Sequence, residues 1–296
     1  MKKTKIILTI LFLFYSLSFS DEIIDNFFLQ IKNLKEKGQS LRIESIETKI
    51  SGEIIFSEEG YKALKNLIYK IFQKDLPRTL KIDGYLKGKC SPEKDTLEFD
   101  LFYLYLTTNI DNFALFQTKE NIYLIIPSLG IMAKESRENI KKTQKNEKKE
   151  SLPANFFHLL FALIEKENEI KQNIQFVKEG KRDNFKTYNY TYSFPDGIIE
   201  IEIFDSFYTF SQLKIQNNKE KTELILIYSL PEKEIKISSY LPSAIKIQAE
   251  KDANRLILNF ADIKYNKISA EDEFKLKEIS FQELFGFILF KSIIGK

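Results

Sequence analysis

The sequence predicts an α+β protein in which amphipathic helices cover a curved antiparallel sheet. Short stretches of alternating apolar and polar residues recur along the chain, which is typical of the strands of a meander. Other segments carry apolar residues at helical spacing, which predicts amphipathic helices. Phe and Tyr supply 26 and 14 residues, enough for a broad apolar interior. With 296 residues, the chain can form one large sheet domain or two small ones.

Residues 1 to 20 are predicted to be a secretory signal peptide. A lysine-rich start precedes the apolar run Ile6–Tyr15, and Ser18-Phe19-Ser20 fits a cleavage site. An uncleaved anchor and a lipoprotein are the alternatives, but the run is short for a bilayer and no Cys follows the cleavage site. We therefore expect a mature chain that begins at Asp21 and is periplasmic or otherwise exported, and soluble after cleavage.

The mature chain is expected to be uncharged overall. The net charge of +3 includes the three lysines of the signal peptide, so nothing indicates a nucleic-acid partner, which would need a net basic face. Cys90 is the only cysteine. An intramolecular disulfide is therefore excluded, and a structural role is favoured over a reactive thiol.

Two helices flank one strand at the start of the mature chain. Helical spacing predicts a helix from Asp21 to Lys37, with Gly38 as its C-terminal cap. Alternation predicts a strand from Leu41 to Phe56, with a bend or bulge at Ser51-Gly52. Ser57 is the expected N-cap of a helix that reaches Lys74. Its predicted buried stripe consists of Tyr61, Leu64, Ile68 and Phe72.

Strands dominate the next part of the chain. They are expected over Thr79–Tyr85, Thr96–Thr107, Phe113–Gln117 and Ile122–Ile126. In the second strand Tyr103 and Tyr105 share one face, while Phe102, Leu104 and Leu106 lie on the other. The segment Lys134–Ser151 is almost entirely charged or polar and predicts a mobile loop, either merely solvated or a docking loop for charged partners.

The second half of the chain repeats this pattern. A helix is expected over Ala154–Lys171, and then Tyr188 and Tyr190 alternate with polar residues in a strand, while Glu200 and Glu202 indicate one solvated face of the sheet. The further predicted strands are Phe207–Ile215, Glu223–Ser229, Glu234–Ser239, Ile245–Ala249 and Leu256–Phe260. The final helix, Ser280–Lys296, has a wide apolar surface that packs in the core, fills a cavity in place of ligand, or docks on a membrane.

The sequence offers no constellation for catalysis. His158 is the only histidine and sits in an apolar helix without a nucleophile or an orienting acid. One His and one distant Cys make a weak zinc site, and carboxylate groups such as Glu200 with Glu202 or 271–273 are expected to face solvent. We therefore expect no enzyme, no metal and no cofactor. The aromatic faces either fill a core or line an open cavity, and alternation favours neither.

The order of elements resembles the periplasmic lipoprotein carrier and receptor superfamily (LolA/LolB-like). The residues that carry this resemblance are the strand Asn121–Pro127, the Pro-containing segment Tyr240–Ile247 and the closing stretch Leu256–Phe274. The resemblance implies a single domain over 21–296, built as an incomplete antiparallel β-barrel of about ten or eleven strands with helices closing its open side. The Arg-Pro pair of that family does not occur here, so no gating residue is transferred.

The resulting hypothesis is an exported carrier that binds lipid or lipoprotein acyl chains in an apolar cavity, in lipoprotein sorting or envelope lipid transport. Its partners would be an acylated lipoprotein or a lipid, with envelope proteins and transient membrane contact as further possibilities. The alternative is a non-catalytic structural or protein-interaction module of the cell envelope with a filled core. The predicted ligand-binding residues are Tyr103, Tyr105, Tyr188, Tyr190 and Phe260.

Overall fold

The computed structural model describes residues 22–38, 43–90, 99–139, 163–219, 221–231, 233–251, 254–266, 277–284, 286 and 290. The predicted signal peptide, His158 and residues 140–151 of the predicted charged loop lie outside these ranges. The chain divides into two compact units. Unit 1 comprises Met1–Leu41 and Phe157–Ser243, and unit 2 comprises Arg42–Phe156 and Ala244–Lys296.

Both units combine strands with helices, as the predicted α+β class requires. The elements of unit 2 are β1 (Ser45–Ile55), α2 (Glu58–Phe72), β2 (Thr79–Cys90), β3 (Phe99–Thr108), β4 (Asn112–Gln117), β5 (Asn121–Ile126), a 3₁₀ turn (Pro127–Leu129), β6 (Ile131–Ser136), β12 (Ala244–Lys251), β13 (Asn254–Tyr265), β14 (Lys277–Ser280) and α4, which begins at 281. Those of unit 1 are α1 (22–36), α3 (Glu167–Asn173), β7 (Gln175–Arg182), β8 (Phe185–Phe194), β9 (Gly197–Phe204), β10 (Phe210–Asn217), β11 (Thr222–Ile227) and a 3₁₀ turn (Ile237–Tyr240).

Each unit contains an open sheet. The strand order is β14–β6–β5–β4–β3–β2–β1–β13–β12 in unit 2 and β11–β10–β9–β8–β7 in unit 1. Within each unit neighbouring strands are antiparallel, except that β14 runs parallel to β6. β14 in unit 2 and β7 in unit 1 each have a neighbouring strand on one side only, so the described strands do not close on themselves. The predicted antiparallel, unclosed sheet is therefore confirmed.

The fourteen described strands exceed the ten or eleven expected. β6, β7 and β14 were missed because charged residues mask their alternation, most clearly in the β7 sequence QFVKEGKR. Because β6 extends to Ser136 and 137–139 are helical, the predicted loop from Lys134 begins too early. The predicted strand Glu234–Ser239 is also wrong. Its end forms the 3₁₀ turn, where the Lys236 N–H donates to Ser239 Oγ at 3.1 Å.

The predicted helix ends agree with the structure. Gly38 has φ +75° and donates its N–H to Lys35 O at 3.0 Å, as a C-terminal cap does. Ser57 Oγ accepts the Gly60 N–H at 3.0 Å at the start of α2. The helix predicted over Ala154–Lys171 is described only from 163 and continues through α3 to Asn173.

Helix α1 covers one side of the unit 1 sheet and closes its core. The ring centroid of Phe27 lies 4.8 Å from that of Phe210 and 5.8 Å from that of Tyr240. Tyr188 and Tyr190 of β8 are each 2 % exposed in this core. In the described part of unit 1, side chains of α1 and of the sheet therefore fill the interior around Phe27.

An ion-pair network joins α1 to α3. The Glu167 carboxylate is buried and binds Lys171 Nζ at 2.8 Å as well as Lys32, while Lys171 Nζ also lies 2.7 Å from Asp25. Burial alone would raise the pKa of Glu167, but the hydrogen bonds and charges of the two lysines outweigh it and the pKa is lowered. The ionised carboxylate thus stabilises the folded unit.

Gly52 of β1 allows the close approach of β13, in place of the predicted bend or bulge. A Cβ at this position would lie 2.2 Å from Ile257 O. We predict that Gly52→Ala lowers the free energy of unfolding by about 1–3 kcal/mol, because the β1–β13 ladder must shift. Urea titration followed by circular dichroism measures this. Gly286→Ala in α4 is the matched control, since a Cβ there meets nothing within 4 Å; equal midpoints for the two variants would contradict the prediction.

Glu167→Gln is predicted to lower stability by about 1–2 kcal/mol at pH 7, because both lysines lose their charged acceptor. A carboxyl whose pKa is depressed by folding stabilises the protein above its unfolded pKa, and this contribution is lost as pH falls through the folded pKa. The stability gap between the native protein and Glu167→Gln should therefore close below about pH 4. Denaturation at several pH values checks this, with the exposed Glu165→Gln as control. A stability difference that does not change with pH would contradict the stabilising role of the ionised Glu167.

Candidate apolar binding face

One side of the unit 2 sheet carries almost only apolar side chains. Directly opposed residues in neighbouring strands share a side of a sheet, and the register places Ile50 of β1 opposite Phe260 of β13, which in turn lies opposite Ile245 of β12. The same alternation continues through β2 to β6. We call this side the apolar face. Its members are Ile46, Ile50, Ile54, Leu80, Ile82, Leu86, Phe102, Leu104, Leu106, Phe113, Leu115, Ile122, Leu124, Ile126, Ile131, Ala133, Ile245, Ile247, Ala249, Leu256, Leu258, Phe260 and Tyr265.

Most of the apolar face is only half-buried. Leu86, Leu104 and Leu258, at the centre of the sheet, all retain partial exposure. The core of unit 1 differs, because Leu213 and Ile203 there are 0 % exposed. A broad apolar surface that the protein's own side chains leave partly uncovered can bury an apolar ligand.

Helix α2 packs against this face at its C-terminal end. Of its fifteen residues only Ile71 is buried, although Leu67, Ile68 and Phe72 lie on the same stripe. The Phe72 ring packs against Phe113 of the apolar face at 6.0 Å. Leu64, one helical turn before Ile68, is 37 % exposed. The predicted stripe thus lies on the correct side of α2, but it is less buried than expected, and the prediction omitted Ile71.

The β4–β6 end of the apolar face is covered more tightly. Leu284 of α4 is buried with Ile126, Ile131 and Ala133. Ser280 and Glu283 cap this helix reciprocally, since the Glu283 N–H donates to Ser280 Oγ at 3.1 Å and the Ser280 N–H donates to Glu283 Oε2 at 2.6 Å. The first turn of the final helix is therefore core, and most later residues of that helix lie outside the described ranges.

Of the five predicted ligand-binding residues, the structure places three in unit 2 and two in unit 1. Tyr103 and Tyr105 belong to unit 2 but lie on the side opposite to the apolar face, as their register with Lys87 and Tyr85 shows. Tyr188 and Tyr190 belong to the filled core of unit 1.

Phe260 alone of the five lies on the apolar face, where it is half-buried. Sequence alternation showed which residues share a side of a strand, but not that Phe260 and Tyr103 lie on opposite sides of the sheet. The sequence did contain a signal that Leu104 and Leu106 belong to an apolar face, because strand β3 is apolar on both sides.

The other candidate groups have structural roles where the structure describes them. Glu200 pairs with Lys214 at 3.4 Å, and Glu202 accepts hydrogen bonds from Thr187 Oγ1 at 3.0 Å and Ser211 Oγ at 2.7 Å. The described ranges contain no group of three or more His, Cys, Asp or Glu side chains placed to hold a metal ion. Within the same part of the chain, no helix has the length and apolar character needed to cross a membrane. Residues 271–273 are not among those described.

No protein-family model matches the chain, and no curated protein matches it. Among solved structures, it is similar to a DUF1329 family protein from Desulfovibrio piger, with 7% identity, a TM-score of 0.31, and coverage of 81% of this chain and 91% of that one. It is also similar to a LolA superfamily protein from Nitrosomonas europaea, with 8% identity, a TM-score of 0.30, and coverage of 81% and 94%.

A third similar structure, from Vibrio parahaemolyticus, is a domain named for outer membrane lipoprotein sorting. It has 12% identity, a TM-score of 0.30, and coverage of 82% of this chain and 94% of that one. One of these structures bears the name of the superfamily that the sequence resembles.

Proposed function

We propose that this protein is an exported carrier that buries an acyl chain of a lipid or lipoprotein between the apolar face of unit 2 and helix α2. The observation that carries the proposal is the half-buried apolar face under a helix of which only Ile71 is buried. Each methylene that leaves water contributes roughly 0.8 kcal/mol before ordering costs. A ligand with a long alkyl chain gains most from such a surface.

The chemistry of the apolar face favours an alkyl chain over a polar ligand. Its central members are Ile, Leu and Phe side chains on strands that are hydrogen-bonded on both sides, such as β1 between β2 and β13. The backbone groups of these strands are therefore already paired, and the face offers contact area without directional donors or acceptors. Such a surface recognises the apolar area of its ligand and not the head group. It would therefore accept lipids that differ in their head groups.

A protein-interaction module with a filled core is the second candidate, and unit 1 favours it. Helix α1 and the buried Tyr188, Tyr190 and Phe210 leave the interior of unit 1 packed. A partner of this unit would have to bind its surface. The two candidates are compatible, because they concern different units of one chain.

Native mass spectrometry of the protein exported from a bacterial host tests the carrier function. We expect a mature chain beginning at Asp21 that retains a near-stoichiometric lipid or acylated peptide, which organic extraction and lipid analysis then identify. A chain that carries no lipid and binds no hydrophobic dye would contradict the carrier and favour the filled-core module. A chain that still contains residues 1–20 would contradict cleavage of the signal peptide but not the carrier function.

Leu64→Lys is predicted to weaken binding of a fluorescent fatty acid about tenfold, because it places a charge on the apolar stripe of α2. The substitution should fold normally, since Leu64 is 37 % exposed. Ala63→Lys is the matched control, because Ala63 is exposed on another side of the same helix. Fluorescence titration gives both affinities, and equal values for the two variants would place the ligand away from α2.

A further inference from the structure

Three neighbouring tyrosines lie on the side of the unit 2 sheet opposite to the apolar face. Tyr85 of β2 is directly opposed to Tyr105 of β3, and their ring centroids are 5.6 Å apart with planes inclined by 28°. The Tyr103 ring lies 5.6 Å from that of Tyr85. Tyr85 and Tyr105 line an open groove of about 790 Å³, which is within the size range of small-molecule sites. We call it the tyrosine groove.

The tyrosine groove is electrically balanced. Lysines and carboxylates line it in equal number, and four of them form two ion pairs along its margin. Lys49 Nζ lies 2.7 Å from Asp262, and Lys264 Nζ lies 3.4 Å from Glu47. A balanced groove attracts neither a polyanion nor a polycation from a distance, so a nucleic acid or a basic peptide segment is a poor match.

The remaining two charges flank a tyrosine. Because side chains alternate along a strand, Asp83, Tyr85 and Lys87 of β2 point to the same side. The exposed Asp83 carboxylate is an acceptor that no hydrogen bond or ion pair engages within the described part of the chain, and Lys87 Nζ lies 5.3 Å from the Tyr85 ring centroid. Thr107, opposed to Asp83, adds an exposed hydroxyl. The Tyr85 ring therefore stands between an acceptor and a donor of the same strand.

This combination matches the chemistry of a sugar. A pyranose ring presents apolar C–H groups, which pack on aromatic rings, and hydroxyls, which both donate and accept hydrogen bonds. An extended peptide is less suited, because β1, β2, β3 and β13 are each paired on both sides and offer it no main-chain partner. We propose that the tyrosine groove binds an uncharged oligosaccharide.

The same side of the sheet favours a ligand of several sugar units. A second cavity of about 680 Å³ lies further along β2 and β3, lined by Lys89, Leu101 and Asp100. Lys89 follows Lys87 by two residues and Leu101 precedes Tyr103 by two, so Lys89 and Leu101 continue the side that carries the tyrosines. The two cavities therefore lie on the same side of the sheet, and the buried Tyr103 separates them.

Calorimetric titration with cellotetraose and with the tetramer of N-acetylglucosamine tests the proposal. The full mature protein should bind at least one of them saturably, and Tyr105→Ala and Asp83→Ala should each weaken that binding at least about tenfold. Asp83 is exposed, so its substitution reports on the ligand without disturbing the core. Fatty-acid binding by Asp83→Ala should stay unchanged, because the apolar face lies on the other side of the sheet.

Two substitutions on the same side of the sheet serve as matched controls. Tyr123→Ala and Glu53→Ala lie outside the tyrosine groove and should alter saccharide affinity less than about twofold. No saccharide binding at millimolar concentration, or equal effects of groove and control variants, would overturn the proposal. Binding of a zwitterionic peptide in place of the saccharides, with loss in Asp83→Ala, would overturn it in favour of a peptide site.

Discussion

The pairing of β1 with both β2 and β13 is the constraint on which unit 2 depends. β2 follows β1 in the chain, whereas β13 is contributed by the last part of the sequence, and the register runs from Ile46 to Ile55 against both neighbours. A slip of one residue would turn every side chain of β1 to the other side of the sheet. Both the apolar face and the tyrosine groove would then mix polar and apolar residues, so both candidate sites depend on this register.

A bulge in β13 and a hydrogen bond from Thr48 maintain that register. Asp262, at φ +53°, and Ile263 form a bulge in β13 opposite Thr48, whose hydroxyl donates to Ala261 O at 2.8 Å. The bulge absorbs one extra residue, so that Phe260 and Tyr265 still point to the apolar face. It also places Asp262 beside Lys49. The same irregularity therefore keeps the apolar face continuous and supplies one ion pair of the tyrosine groove.

The sequence predicted local structure, whereas the position of each predicted site residue within its sheet could not be derived from it. Caps such as Ser57 and Gly38 and the alternation of β8 and β9 depend on neighbouring residues, and these predictions are confirmed. The placement of Tyr103 depends on the register of β3 with β2 and β4, which alternation within a single strand does not reveal. Tyr188 illustrates the same limit, because alternation cannot distinguish a filled core from a cavity wall. β7 was missed since edge strands often carry charged residues that prevent unwanted pairing.

The attachment of α2 explains how an apolar face can remain half-buried without loss of the fold. At its start, Asn254 Oδ1 accepts the Ser57 N–H at 2.9 Å, and Arg78 both pairs with Glu58 and lies over the Tyr61 ring at 4.0 Å. Just beyond its end, Lys74 Nζ donates to Ile110 O at 2.6 Å. These contacts hold the ends of the helix in place, so its central apolar residues need not pack tightly on the sheet. The acyl chain of the proposed carrier function would then enter beneath α2 at the cost of few contacts, whereas a helix packed along its whole length would first have to be displaced.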